Sequence, residues 1–440
     1  MRIISIILVF CFIFSEVSGQ VETSNTKASL NVKLPFKLIN NLIVLPVKVN
    51  GVELNFLVDT GIKETILFSI DEKKTIPLFD IERVKLKGLG TLDFIEGLKS
   101  YRNTLSFNKL VFENQEIVVI LDQDFNFSSV LGIEVNGIIG FHFFASQMVE
   151  INYDRKVISI HNRLKSKTTK LLSKFEAFDI VLAESKPYLS VKVKSMDTIF
   201  DAKCLIDSGN SDGLWLFQGR SDAIKVPDLN FEDYLGRGFS GDVFGKKAKV
   251  EQVSLRSFEF KNVVTAFPYK ESYENLVMVQ DRVGSVGGDF LRRFNVIFDY
   301  QNQKLYLKKN RQHNEKFKYN ITGITFHHAG LQWYKEEIKT NGLFLSNDNS
   351  KTKNYQASIQ YNFRLVPVFE ILSIRANSLA EKAGLQIGDQ VLSINNKSTS
   401  RMTLQKLNTI LYSEAYKKIS LLVLREGKRL AYQIELEDLL

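Results

Sequence analysis

The chain has 440 residues, 44% of them hydrophobic and 24% charged, which excludes a disordered chain and a collagen-like one. Its two cysteines exclude a disulfide-stapled framework. The net charge of +9, from 58 basic and 49 acidic residues, is spread along the chain without a basic face interleaved with aromatics, which argues against a nucleic-acid partner.

At the N-terminus, Arg2, an apolar run of 12 residues from Ile3 to Phe14, and the small residues Ser18 and Gly19 predict a secretory signal peptide over residues 1–19. The run falls short of the ~20 residues that span a bilayer. No second stretch of that length follows, so no stable membrane anchor is expected after signal removal. The expected location is periplasmic or extracellular. Cys11 leaves with the signal, and Cys204 alone can form no internal disulfide, which suits a bacterial envelope.

The chain then repeats itself. Asp59-Thr60-Gly61 follows the apolar pair Leu57-Val58, and Asp207-Ser208-Gly209 follows Leu205-Ile206, 148 residues later. Gly88-Leu89-Gly90 and Gly236-Arg237-Gly238 share that offset, as do Asn114 and Asn262, and Gly140 and Gly288. Val149 to Ile160 parallels Val296 to Leu307 after a one-residue gap. Such self-similarity marks a duplicated unit. Leu45–Val49 and Leu189–Val193 alternate apolar and polar residues, as half-buried strands do, and Asn50-Gly51 and Asp154-Arg155 read as hairpin turns. Two similar β lobes are predicted, at 28–163 and 175–310. The basic stretches 163–174 and 308–318 read as solvated linkers.

Each Asp-[Thr/Ser]-Gly sits where a buried strand ends. Gly permits a tight turn with positive φ and close backbone approach. The hydroxyl can bond across to the opposite loop. Two lobes related by an approximate twofold bring Asp59 and Asp207 face to face, where two carboxylates about 3 Å apart share one proton. One member can then activate a water while the other polarises a carbonyl. The duplicated apolar-apolar-Asp-[Thr/Ser]-Gly, each followed by an apolar-Gly element, resembles the aspartic proteases, in compact lobes closer to fused retropepsin units than to pepsin. The resemblance covers about 28–310. It implies that Asp59 and Asp207 are catalytic and that Thr60, Gly61, Ser208 and Gly209 support them. It also relates the apolar-Gly elements to Ile138-Ile139-Gly140 and Ser285 to Gly288, and the flap hairpins to Lys87–Leu98 and Gly236–Gly245. Ile62 and Asn210 stand where the family usually has a small residue.

Three patterns are set aside. Gly209 to Gly213 matches a serine-hydrolase elbow but leads into a strand-like run. Gly236 to Gly241 matches a dinucleotide fingerprint but lacks its βαβ unit. His327-His328 have no zinc-type spacing to carboxylates or Cys204. No metal and no organic cofactor is expected.

Past residue 316 the pattern changes. Phe369–Ile374 alternates as a strand. Asn377–Gly384 is a short helix capped by Ser378 and Glu381 and ended by Gly384. Gly388-Asp389 turns into a strand ending at Ile394. Leu404, Leu407 and Leu411 mark one face of a second helix, and 419–436 forms a hairpin. The run from Ser378 through Gly384-Leu385, Gly388-Asp389 and Ile394-Asn395 resembles a PDZ domain over about 316–440, with Leu379 where Pro is common and Asn396 where Gly is. The resemblance implies a peptide ligand added as a strand at a sheet edge. Leu331–Phe363 reads as containing an irregular polar insertion.

The expected fold is mainly β: a two-lobed aspartic-protease fold followed by a PDZ-like α+β domain. The expected activity is that of an aspartic endopeptidase acting on polypeptide substrates, with the PDZ domain recruiting peptides or regulating access. The competing expectation is a non-catalytic protein-binding scaffold built on the same lobes.

Overall fold

The computed structural model describes residues 32–70, 74–86, 88–90, 94–121, 127–161, 166–238, 240–340, 358–412, 418–437 and 439–440. The expected signal peptide, with Cys11, lies outside the described residues.

The first repeat contains β1 (Val32–Pro35), β2 (Lys37–Ile39), β3 (Leu42–Val49), β4 (Val52–Val58), β5 (Thr65–Leu67), β6 (Phe79–Leu86), β7 (Ile95–Phe107) and β8 (Leu110–Ile120). It continues through α1 (Ser128–Leu131), β9 (Gly137–Ile139), α2 (Phe141–Ala145), β10 (Met148–Asn152) and β11 (Val157–His161). After α3 (Ser166–Leu172), the second repeat runs through β12 (Glu176–Asp179), β13 (Val181–Ala183), β14 (Lys186–Ser195), β15 (Thr198–Ile206), β16 (Leu214–Leu216) and β17 (Asn230–Gly238). It closes with β18 (Gly241–Leu255), β19 (Phe258–Pro268), β20 (Arg282–Val286), α4 (Gly288–Leu291), β21 (Phe294–Asp299) and β22 (Lys304–Lys309).

The duplication is visible in the strand order. The first lobe's sheet runs β2-β3-β4-β9-β5-β8-β7-β6 and the second runs β13-β14-β15-β20-β16-β19-β18-β17, the same path element for element. A third sheet joins them in the order β1-β11-β10-β21-β22-β12, its centre being the antiparallel pair β10 and β21. One hydrophobic core runs through both lobes and this shared sheet. Phe144 of the first lobe meets Phe298 and Tyr300 of the second with ring centroids 5.2 and 5.5 Å apart. Burying each such ring stabilises by roughly 1.5–3 kcal/mol, so the lobes share a core rather than sit side by side.

The structure shifts one equivalence. Strand β9 pairs in parallel with β4, setting Ile139 beside Val58, and β20 pairs in parallel with β15, setting Val286 beside Ile206. Gly140 therefore corresponds to Gly287, not Gly288. The one-residue gap falls before the glycine, in the stretch between β8 and β9, where loop length is free to vary.

The basic linkers are also more ordered than charge suggests. Residues 166–172 form α3. In 308–318 the charged residues project outward, but His313 and Phe317 are buried against Phe260. The Glu315 carbonyl accepts from the buried Arg293 guanidinium.

The C-terminal domain has its own core. It contains β23 (Ile324–Thr340), β24 (Ser358–Ile374), α5 (Leu379–Lys382), β25 (Gln390–Ile394), β26 (Lys397–Ser398), α6 (Leu404–Leu411), β27 (Lys418–Arg425) and β28 (Lys428–Glu435). Ser378 caps α5 by accepting from the Glu381 N–H, and Gly384 follows with φ 87°. Leu404, Leu407 and Leu411 are buried on one face of α6. The expected polar insertion falls mostly on 341–357, outside the described residues; the parts of Leu331–Phe363 on either side of it form a ladder. β23 and β24 pair from Ile324 with Ile374 to Thr340 with Ser358, leaving 341–357 outside the described residues. The ribbon pairs its backbone internally, and in β24 Ile359, Tyr361, Phe363 and Leu365 alternate with polar residues. Lys335 lies 3.6 Å from the Tyr361 ring centroid across it. Among the described residues no helix is long and apolar enough to cross a membrane, and no cluster of His, Cys, Asp or Glu could hold a metal.

Candidate active site

Strand β4 ends one residue before Asp59 and β15 one residue before Asp207. Each Asp is fixed in the same way. The Asp59 N–H donates to the Ile139 carbonyl at 2.9 Å, and the Asp207 N–H to the Val286 carbonyl at 2.9 Å. The following residues lock the loops to one another. The Thr60 N–H donates to Ser208 Oγ at 3.1 Å, and the Ser208 N–H to Thr60 Oγ1 at 3.0 Å. Thr60 Oγ1 donates onward to the Ile206 carbonyl at 2.6 Å, and Ser208 Oγ to the Val58 carbonyl at 2.8 Å. Both hydroxyls are buried and fully used, so each lobe's loop is held by the other lobe's backbone.

Gly61 and Gly209 donate N–H bonds to the carboxylates of Asp59 (2.6 Å) and Asp207 (3.0 Å). The expected positive φ is absent at both. Close approach is what requires glycine here. A Cβ on Gly209 would stand 2.2 Å from Asp59 Oδ2, and one on Gly61 would stand 2.9 Å from the Asp207 carboxyl. Each carboxylate therefore rests on the opposite lobe's glycine.

The two carboxyls face each other across Gly61, where a Cβ would stand 3.0 Å from Asp59 Oδ1 and 2.9 Å from Asp207 Oδ1. Burial raises the Asp59 pKa well above the ordinary carboxylate range, and the neighbouring Asp207 charge raises it further. Burial also raises Asp207, opposed by the Arg282 guanidinium and by the N–H groups of Gly209 and Asn210. Both carboxyls are raised, so the pair favours one shared proton. Both side chains keep part of their surface open to the cleft.

Ile62 and Asn210 keep their loops intact despite their size. Each uses its carbonyl to hold the glycine element, Ile62 accepting from Phe141 N at 3.0 Å and Asn210 from Gly288 N at 2.6 Å. The Asn210 side chain also accepts from Asp212 N at 2.9 Å. Gly140 and Gly287 show matched environments, since a Cβ on either would strike the carbonyl of Ile62 or of Asn210.

Arg282 was not singled out by its sequence. It is buried, donates to Ser285 Oγ at 2.8 Å and to the Gly284 carbonyl at 3.2 Å, and faces the Phe217 ring. The halves in register would have exposed it: its counterpart, 147 residues earlier, is the buried Val135. A charge in one copy of an otherwise apolar strand is a sign of divided roles.

The hairpins β6–β7 and β17–β18 meet at their tips. The Ser240 N–H donates to the Leu89 carbonyl at 2.8 Å, and the Gly88 N–H to Ser240 Oγ at 3.2 Å. Leu89 packs toward Trp215 and Phe217 of the second lobe. Gly238 and Gly241 pair where β17 meets β18, and Gly209 to Gly213 is a loop feeding β16, in keeping with setting both motifs aside.

A duplicated β fold with paired Asp loops defines the two-lobed aspartic-protease class. Comparison agrees: residues 45–143 match the aspartyl protease family model, and residues 370–425 match the PDZ domain model. Residues 45–143 are thus similar to the aspartyl proteases, and residues 370–425 to PDZ domains. Among solved structures, the aspartic proteinase from Irpex lacteus is similar at 11% identity and a TM-score of 0.42, over 65% of this chain and 99% of that one. No curated protein sequence matches the chain.

Proposed function

We propose that the chain is an aspartic endopeptidase in which Asp59 and Asp207 are the catalytic pair, in lobes spanning 28–163 and 175–310, with the PDZ-like region at 316–440 governing peptide access. The observation that supports this most is the pairing itself: two facing carboxyls, both with raised pKa, pressed together by reciprocal Thr60 and Ser208 bonds.

An extended polypeptide would lie between the Asp loops and the joined hairpin tips. The Asp207 carboxylate takes a proton from a water held between the carboxyls, and the water oxygen attacks the peptide carbonyl carbon. Asp59 gives its proton to the carbonyl oxygen. In collapse, Asp207 passes its proton to the leaving nitrogen and Asp59 recovers one from the intermediate's hydroxyl, so the pair returns to its starting state. Thr60, Gly61, Ser208 and Gly209 hold this geometry without exchanging protons.

Cleavage of a denatured protein by Asp59→Asn and Asp207→Asn tests the reading. Loss of roughly 10²- to 10⁴-fold in rate is expected in each. A parent chain that cuts nothing from acid to neutral pH, or variants that cut as fast as the parent, would leave the scaffold role. The same reading places the protein outside the cytoplasm after loss of residues 1–19. Intact-mass measurement of the exported chain should find Gln20 at its start.

A further inference from the structure

The sheet of the C-terminal domain runs β23-β24-β25-β27-β28, so β23 is its edge strand, and α6 packs beside it. A PDZ domain receives an extended peptide along such an edge, next to the second helix. Here that place has a neighbour already. Helix α1 of the first lobe lies against β23. Gly132, which closes α1 with φ 67°, abuts α6: a Cβ on it would stand 2.6 Å from Leu404 Cβ. Gln405 in α6 donates to the Leu38 carbonyl of the first lobe at 3.1 Å. The segment is fastened from behind as well. Leu131 is buried in the first lobe, and Ser128 Oγ both donates to the Val135 carbonyl and accepts from the Val135 N–H.

The end of the groove is closed in a second way. Capture of a chain terminus needs backbone N–H groups left for its carboxylate. In the loop entering β23 these donors are committed. The Ile321 N–H donates to the Leu411 carbonyl at 3.4 Å, the Gly323 N–H to Asn320 Oδ1 at 3.1 Å, and the Ile324 N–H to Thr322 Oγ1 at 3.2 Å. Ile321, Thr322 and Ile324 are all buried.

We propose that the PDZ groove is filled in cis by the Ser128–Gly132 segment of the first lobe, so that its ligand is an internal turn of the same chain and not a free terminus. The proposal rests on the PDZ reading of 370–425 and is independent of catalysis. An outside peptide reaches the groove only by displacing a competitor tethered at high effective concentration. That competitor leads through Val135 and Asn136 into β9, whose Ile139 carbonyl holds the Asp59 N–H.

The test uses the full chain and two probes, fluorescein-labelled peptides of the sequence 127–133 (FSSVLGI), one ending in an amide and one in a free carboxylate. The double variant Leu38→Cys with Gln405→Cys should be joined by a short bismaleimide in the folded chain, because the Gln405 side chain reaches the Leu38 backbone. The buried Cys204 stays out of the reaction. By fluorescence anisotropy the parent and the cross-linked double variant should bind either probe at least about tenfold more weakly than Gly132→Glu, whose side chain would strike Leu404 and so forces the segment off α6. That opened variant should bind both probes within about twofold, as a groove blind to chain ends must. Failure of the cross-link to form, or tight binding of the free acid by the parent that cross-linking does not reduce, overturns the proposal. The cross-linking result decides the matter even if Gly132→Glu does not fold.

Discussion

Arg282 breaks the symmetry of a duplicated site. Asp59 and Asp207 have matching N–H bonds to a strand carbonyl and matching glycine donors, yet Lys186 lowers the Asp59 pKa, while the Asn210 N–H and the buried Arg282 guanidinium lower only that of Asp207. Arg282 opposes the effect of burial there, whereas the first lobe offers Val135 in its place. Removing it should raise the Asp207 pKa further. Activity in this mechanism requires Asp207 ionised, so the acid limb of the pH profile should move to higher pH in Arg282→Met. A kcat/KM profile checks this, and an unmoved limb refutes the assignment of roles. The same shifts carry a cost in stability. A carboxyl whose folded pKa lies above its unfolded value binds its proton more tightly when folded, so stability is greatest below the unfolded pKa. It falls as pH rises through the interval up to the folded pKa. Asp59→Asn removes a group in that position. It should melt at a higher temperature than the parent at neutral pH, and the difference should vanish in strong acid, as thermal melts at the two pH values would show.

The hairpins act as elements, and their glycines set how closely they meet. A Cβ on Gly238 would stand 2.2 Å from the Leu89 carbonyl, and one on Gly90, at φ 128°, 2.1 Å from the Ser240 backbone. Gly238→Val should therefore part the tips while leaving the cores of both lobes untouched. The expected result is a raised KM for polypeptide cleavage with little change in the melting temperature; an unchanged KM would mean that the tips do not shape the substrate path. At this scale the sequence was readable wherever function or burial imposed a pattern. The Asp-[Thr/Ser]-Gly pair, the alternation in β3 and β14, and the Ser378 cap of α5 are local signals, and they lie where expected. The misreadings share one cause, which is structure set by partners distant in sequence. Gly287 takes its role from the carbonyls of Asn210 and Asp212, and the 308–318 stretch is ordered by Arg293 and Phe260.

Across the whole molecule, a buried ionic cluster joins the C-terminal domain to the second lobe. Lys247 on β18 lies 3.4 Å from Asp212 and 3.3 Å from Asp233, and Arg375 of the C-terminal domain lies 3.6 Å from Asp233. Asp212 also accepts from Trp215 Nε1 at 2.8 Å, five residues from Asp207 in the chain. Arg375 donates to the carbonyls of Asn320 and Ile321 and covers the Phe231 ring, so it fastens the connecting segment as well. Burial opposes the charge on Lys247, but the carboxylates of Asp212 and Asp233 outweigh it and raise its pKa. A lysine raised in this way stays charged through the neutral range and loses its contribution only as pH climbs beyond the ordinary lysine value. The domain contact should therefore be insensitive to pH near neutrality. Lys247→Met leaves two half-buried carboxylates with fewer partners; breaking a fully buried pair costs about 3–5 kcal/mol, so a loss below that is expected, whereas replacing both members of a pair by apolar groups is often close to neutral. The single variant should therefore unfold at a clearly lower temperature. Lys247→Met combined with Asp233→Leu should recover part of the loss if the two residues act as a pair. A double variant no more stable than the sum of its single changes predicts would show that Lys247 acts through Asp212 instead, leaving Arg375 and Asp233 as the link between the domains.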